Sequence, residues 1–443
     1  MARRLLAVVA AALALCGAAA AAGVRVSADP LEPQEWWLPA IGANVAQAPG
    51  PGVPITIVDS GTDPTHPEFA NRPNTTFINT QTVLGPGEFH GTMVASVAAA
   101  PENGVGMTGV YPDAALQIYD ASPTPAGITD PTAIAGILTA AQHCPGVVNL
   151  SWGGAEGDPQ LQAAVLTAVD AGCLVVAAAG NDGQLGNQPT YPADWPHVFT
   201  VAASDQNNVV APFSTVSPAN DITAPGVGII GAVPLSHDPS GYVTGDGTSF
   251  AAPMVSAAAA WIWTLRPTLT AGQLAGVLRE SATDIGPPGF DNASGYGLLN
   301  IPAALVAPAP PIDPDEPNDD IDEVRPLELF QLGQPALTTK AKPGSRIAAT
   351  LDKADDPRDI YRIWVPAHET VRVKVSSGSR AAAARIWGPK TLSVNEGIAA
   401  RRRDLRGPSI TAGKTGMQAY AEVLLTGSSS TATYVLSVTA SKR

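Results

Sequence analysis

The chain has 443 residues, of which 45% are hydrophobic and 14% charged, with a formal net charge of −14. This is a globular composition, too apolar for disorder, with nothing that suggests a fibre, and it is long enough for two domains plus a targeting segment. Residues 1–302 hold 6 Arg, no Lys and 23 acidic residues (net −17), whereas 303–443 carry net +3; the step marks a boundary, and the near absence of cations before it excludes phosphate-led nucleic-acid binding.

Arg3 and Arg4, an apolar run over 5–15 and small residues over 17–23 have the layout of a secretory signal peptide, read as 1–22, with 23–50 as an N-terminal extension. Cys16 stands where a lipoprotein signal carries its acylated cysteine, but Leu15 occupies the preceding position where a small residue is needed. Later apolar runs, of which 256–265 is the nearest, fall short of the roughly 18 residues of a membrane span. A secreted, extracellular, soluble protein without stable membrane insertion is expected. Two cysteines then remain, Cys144 and Cys173, each a few residues before an apolar run. If those runs are neighbouring parallel strands, a disulfide is within reach. An oxidising compartment favours it over two inert buried thiols.

From residue 53 to about 304, apolar runs at 55–58, 116–119, 147–150, 174–178 and 198–201 alternate with small-residue amphipathic stretches after His90, Asp130, Asp158 and Ser249. Strand then helix, repeated, with strands that read as continuous apolar runs, predicts an α/β domain over 51–304: a parallel sheet with helices on both faces. A Pro-rich and then acidic stretch follows, a linker over 305–320. Beyond it, period-two runs at 360–365, 371–375 and 434–438 predict a small all-β domain over 321–443.

Four positions carry chemistry. Asp59 ends the first apolar run before Ser60-Gly61, at the strand edge where open parallel sheets build their sites. His90 opens His90-Gly91-Thr92-Met93-Val94-Ala95, a glycine-eased entry into a helix; the other histidines, His66, His143, His197, His237 and His368, lack comparable surroundings. Ser249 lies where Gly245 and Gly247 lead into a helix, whose N-terminal N–H groups suit a developing oxyanion. Asn181 follows the run at 174–178 and Gly180, and its amide can donate. Taken singly these read as a turn aspartate, a core histidine, a capping serine and a turn asparagine.

Together, Asp59-Ser60-Gly61, His90 to Ala95, Ala178-Ala179-Gly180-Asn181 and Gly247-Thr248-Ser249-Phe250-Ala251-Ala252-Pro253 resemble the signature motifs of the subtilisin-like serine peptidases, in that family's Asp, His, Ser order, over about 34–304. The resemblance implies the doubly wound α/β fold and a serine endopeptidase acting on protein or peptide substrates. In it Ser249 is the nucleophile, His90 the general base, Asp59 its orienting carboxylate and Asn181 an oxyanion donor. It needs no cofactor for chemistry, and a monomer is expected. By the same resemblance Ser151-Trp152-Gly153-Gly154 pairs with substrate backbone and walls the primary specificity pocket. Thr190 is its floor, and Asp182 stands where it could favour a basic residue before the scissile bond. Tyr191-Pro192 matches a position where the family carries a cis peptide. Glu68 and Asn103, the latter in the loop 101–107, match a structural calcium site.

The chain departs from the family at Met93, where histidine is more usual, and at Phe250, where methionine is commoner. It also has only about a dozen residues where a folding propeptide is expected. The tail from Asp315-Glu316-Pro317-Asn318-Asp319 resembles the C-terminal domain appended to secreted bacterial peptidases, which implies a jelly-roll-like β-sandwich. A catalytically silent binding protein of the same fold, an acid-type relative with a Glu-Asp-Ser triad and a membrane-anchored protease are the competing functions. Intact catalytic positions, His90 with Asn181, and the lack of a C-terminal span disfavour them in turn.

Overall fold

The computed structural model describes residues 28–45, 48–82, 88–353, 356–378, 381–394, 404–427 and 431–442; the signal peptide read at 1–22 lies outside them. Seven strands form a parallel sheet: β1 (Ile55–Asp59), β2 (Thr75–Phe77), β3 (Leu116–Asp120), β4 (Val147–Leu150), β5 (Leu174–Ala178), β6 (Val198–Ser204) and β7 (Asn220–Pro225), in the order β2-β3-β1-β4-β5-β6-β7. The five apolar runs are β1, β3, β4, β5 and β6. With β1 between β3 and β4, the winding reverses at the β1/β4 crevice, outside whose carboxyl ends sheets of this type place their ligands.

Besides single turns at Trp37–Ala40 and Ile321–Val324, the α-helices among the described residues are α1 (His90–Ala99), α2 (Asp130–Ala140), α3 (Pro159–Asp170), α4 (Thr248–Leu265), α5 (Ala271–Ser281) and α6 (Ile301–Val306). Alternate strand residues point to opposite faces. Ile55, Ile57, Val147 and Val176 pack with α1, α4 and α5, while Val58, Val148, Leu150 and Val175 pack with α2 and α3. Among the described residues α4 alone is long and apolar enough to cross a membrane, which the run at 256–265 understated; most of it is buried here as the central helix of the core. Part of the N-terminal extension joins that core through Trp37, Leu38 and Ile41.

Cys144 and Cys173 are bridged, with Cα atoms 5.1 Å apart. The cause is the register: Val147 of β4 pairs with Leu174 of β5, so the segments that enter these two strands lie side by side.

A hairpin of β8 (Ile229–Ala232) and β9 (Tyr242–Gly245) stands beside α1 and α4. The C-terminal part is a sandwich of β10 (Ser345–Asp352), β11 (Arg358–Val365), β12 (Glu369–Ser377), β13 (Ala382–Trp387), β14 (Leu405–Gly407), β15 (Ser409–Thr411), β16 (Met417–Leu425) and β17 (Thr431–Lys442). Its two antiparallel sheets, β10-β17-β12-β15 and β11-β16-β13-β14, enclose Leu351, Tyr361, Ile363, Val371, Ile386, Val423 and Leu436. Residues 307–320 form no helix or strand and lie along the α/β part: Gln273 Nε2 donates to Pro310 O at 2.8 Å, and His197 Nε2 is 3.0 Å from Asp319 Oδ2.

Candidate active site

Asp59 is the last residue of β1 and is buried, which fixes its carboxylate at the sheet's carboxyl edge. Its Oδ1 accepts from the Ser60 amide at 2.7 Å and from His90 Nδ1 at 2.8 Å. His90 is the first residue of α1. That helix meets the turn after β1 because residue 91 is glycine: a Cβ there would lie 2.1 Å from Gly61 O. Burial lowers the imidazole pKa, but the charge of Asp59 and its hydrogen bond, with Glu88 adding, outweigh it and leave His90 above its ordinary value. Because Nδ1 donates to Asp59, Nε2 is the nitrogen free to take a proton.

Ser249 lies in the first turn of α4, whose N-cap is Gly247. The ring of its neighbour Phe250 has its centroid 5.8 Å from that of His90, so the helix start and the imidazole share one cleft. Among the described residues the Ser249 hydroxyl has no hydrogen bond to His90; bonds of this kind are often long before substrate binds. Asn181 Oδ1 accepts from Thr248 N at 3.0 Å and from Thr248 Oγ1 at 3.1 Å. With the oxygen so engaged, the NH2 group is the side left to donate, and it stands beside the helix entry, 3.8 Å from where a Cβ on Gly247 would be.

The backbone from Ser151 to Gly154 continues β4. Gly154 and Tyr191 exchange both backbone hydrogen bonds, at 2.9 and 2.8 Å. Thr190, before the Tyr191–Pro192 cis peptide, is buried between two backbones. Its Cγ2 lies 2.6 Å from a Cβ built on Gly153, and its Oγ1 2.4 Å from one built on Gly180, where φ is +99°. Asp182 sits in the turn after Asn181, its amide donating to Thr215 Oγ1. Trp152 Nε1 donates to Val58 O at 2.7 Å, a bond no motif announces, and ties this segment to the residue before Asp59.

Glu68 and Asn103 come together, but as a hydrogen-bond cluster. Glu68 Oε1 accepts from Met107 N at 2.9 Å and Tyr242 OH at 2.7 Å, and Asn103 Oδ1 accepts from Val105 N at 2.8 Å. Asp29 Oδ1 accepts from the amides of Asn103 and Gly104, and Glu35 from Thr108. The loop thus turns several N–H groups toward these carboxylates. Glu35 Oε2 and Glu68 Oε2 are buried with no hydrogen-bond partner among the described residues, oxygens of the kind a hard cation takes. Burial drives Glu35 up to about 8 and Glu68 to about 7.

Among the described residues one acidic group does converge. Asp313, Glu316 and Asp356 bring carboxylate oxygens within 4.8 Å of one another beside a cavity of about 720 Å³. Asp313 Oδ1 and Asp356 Oδ1 are buried with no hydrogen-bond partner. Burial first, then the charge of Asp359, holds Glu316 and Asp356 well above the ordinary carboxylate range. Such an oxygen-only set suits a hard cation. The sequence reading missed it because 305–320 reads as linker and Asp356 is distant in the chain.

A buried carboxylate, an imidazole bonded to it and a serine at the carboxyl edge of a doubly wound parallel sheet, beside a side-chain amide, are the groups of a serine hydrolase. Comparison with known proteins specifies it. The subtilase family model matches residues 50–297. Subtilisin DY of Bacillus licheniformis is 35% identical over 272 residues, covering 60% of this chain and 97% of that one. Subtilisin NAT of Bacillus subtilis subsp. natto is 36% identical over 258 residues, covering 58% and 66%. In fold, the crystal structure of the psychrophilic subtilisin-like protease Apa1 from the Antarctic psychrotroph Pseudoalteromonas sp. AS-11 is similar with a TM-score of 0.54 at 22% identity, covering 61% of this chain and 96% of that one. The chain belongs to the subtilase family and is a subtilisin-like serine peptidase.

Proposed function

We propose that the protein is a secreted endopeptidase that cleaves internal peptide bonds through an acyl-enzyme on Ser249. His90 Nε2 takes the Ser249 proton as Oγ attacks the scissile carbonyl, then returns it to the leaving amine; Asp59 holds the imidazole in the needed tautomer and offsets its charge. The Asn181 amide and the Ser249 backbone N–H hold the tetrahedral oxyanion. The observation that carries this reading is the 2.8 Å bond between His90 Nδ1 and Asp59 Oδ1 at the sheet edge, beside the start of α4.

Substrate backbone aligns along 151–154, with the residue before the scissile bond entering between Gly153 and Gly180 above Thr190. Its bridging position supports a shallow pocket that favours small side chains. Asp182 is kept as a rim residue. We divide the chain into a signal peptide at 1–22, an extension at 23–50, the peptidase domain at 51–304, a linker at 305–320 and a sandwich domain at 321–443 of the kind appended to secreted bacterial peptidases, acting monomerically. Secretion is supported by the leader composition and the Cys144–Cys173 bridge. We assign structural calcium to Glu68 and Asn103, with Asp313, Glu316 and Asp356 as a second oxygen-only set, and none is needed for the chemistry.

An internally quenched peptide blocked at both ends tests the endopeptidase reading. The full chain is expected to cleave it and Ser249→Ala to be inert; activity confined to peptides with free termini would contradict it.

A further inference from the structure

The backbone carbonyl of Ser249 lacks its helical partner. In an α-helix the carbonyl of residue i accepts the amide hydrogen of residue i+4. For Ser249 in α4 that residue is Pro253, which has none to give. Ser151 supplies the donor: its Oγ donates to Ser249 O at 2.8 Å. The hydroxyl in turn accepts from Asn149 Nδ2 at 2.9 Å, and Asn149 Oδ1 accepts from Ser256 Oγ at 2.9 Å. Asn149, Ser151 and Ser256 are at most 1% exposed. Ser256 lies seven residues after Ser249, two turns on along the same helix face. The buried chain therefore pins α4 to β4 at two points, one of them the carbonyl of Ser249 itself.

We propose that Ser151 is a positioning residue for the nucleophile, with Asn149 and Ser256 as its support. This rests on the reading of Ser249 as nucleophile. The Ser151 side chain points into the core at Ser249 O, so the substrate edge it was assigned to is formed by its backbone. One residue thereby links the strand that borders the substrate to the placement of the attacking oxygen. A displacement of about 1 Å at the reacting atoms costs on the order of 100-fold in rate. Losing the side-chain donor to the Ser249 carbonyl is expected to cost about 10- to 100-fold.

The test uses the full chain as Ser151→Ala, Ser256→Ala, Pro253→Ala and Ser151→Ala/Pro253→Ala, with thermal melting to verify folding. Two quantities are read: kcat and KM for a peptide, and the rate of phosphonylation by a small fluorophosphonate that carries no peptide. Ser151→Ala is expected to lower kcat and phosphonylation together by about tenfold or more, with KM within about threefold. Adding Pro253→Ala gives residue 253 an amide hydrogen for Ser249 O and is expected to restore at least about threefold of both rates. Ser256→Ala, which removes only the outer support, is expected to slow phosphonylation two- to fivefold and serves if Ser151→Ala does not fold. A raised KM with unchanged phosphonylation would make Ser151 a substrate contact and overturn the proposal. So would a double variant no faster than Ser151→Ala, or an unaffected Ser256→Ala. A wild type inert to the probe overturns instead the nucleophile reading beneath it.

Discussion

Asn181 engages its amide oxygen with Thr248, which leaves its NH2 for the oxyanion role we propose. Removing one such donor lowers turnover on the order of 100- to 1,000-fold. Asn181→Ala is expected to lose kcat on that scale with KM and melting temperature little changed; a drop of less than about tenfold in a folded variant would remove Asn181 from the mechanism. His90 makes a second prediction. Its neutral form is the proposed base, and the Asp59 charge holds its pKa above the ordinary value of about 6.5. Activity is therefore expected to fall with decreasing pH through a limb above about 6.5. Asp59→Asn removes the raising charge, so the limb is expected to move to lower pH while kcat falls about 10⁴-fold. A limb that stays in place in kcat/KM–pH profiles would contradict the pairing. Asp59, His90, Asn181 and Ser249 are legible in the sequence because each sits in a run that fixes its backbone. The Trp152–Val58 bond was not, since sequence spacing gives residue identity and not which way an indole N–H points.

Strands β1, β3, β4, β5 and β6 were readable because a parallel strand buried on both faces is a continuous apolar run. β7 was not: it begins Asn220-Asp221, polar groups that survive burial by bonding, Asp221 Oδ2 accepting from Thr200 N and Asn220 Nδ2 donating to Thr215 O. β2 is too short and too exposed to leave a pattern. In the sandwich, β11, β12 and β17 alternate clearly, whereas the Ala-rich β13 and β16 do not. The Cys144–Cys173 bridge closes a separation of 29 residues, and chain-entropy arguments give such a loop about 3.6 kcal/mol. Cys144→Ala/Cys173→Ala is expected to unfold several degrees lower while keeping its kcat, by calorimetry beside kinetics; an unchanged melting temperature would show that the bridge contributes nothing to stability.

The charge step near residue 302 is visible in composition, but how the halves meet is not. His197, unremarkable in the sequence, faces Asp319, and Gln334 Nε2 donates to Asp170 Oδ1 at 2.9 Å. Around this contact the carboxylates of Asp313, Glu316 and Asp356 repel one another, a repulsion that a divalent cation would relieve. Calcium at about 100 times its dissociation constant would add about 2.7 kcal/mol, a rise of several degrees over chelated protein. Asp356→Asn is expected to abolish most of that rise; equal melting with and without calcium would leave the cluster to protons alone. The most direct measurement of the central claim is labelling of the folded full chain with a fluorophosphonate probe, the modified residue located by peptide mass spectrometry, beside Ser249→Ala, His90→Ala and heat-unfolded controls. Labelling confined to Ser249, and lost in all three controls, is the result an assembled triad requires. No labelling of the folded protein, or labelling that persists in Ser249→Ala, would contradict it.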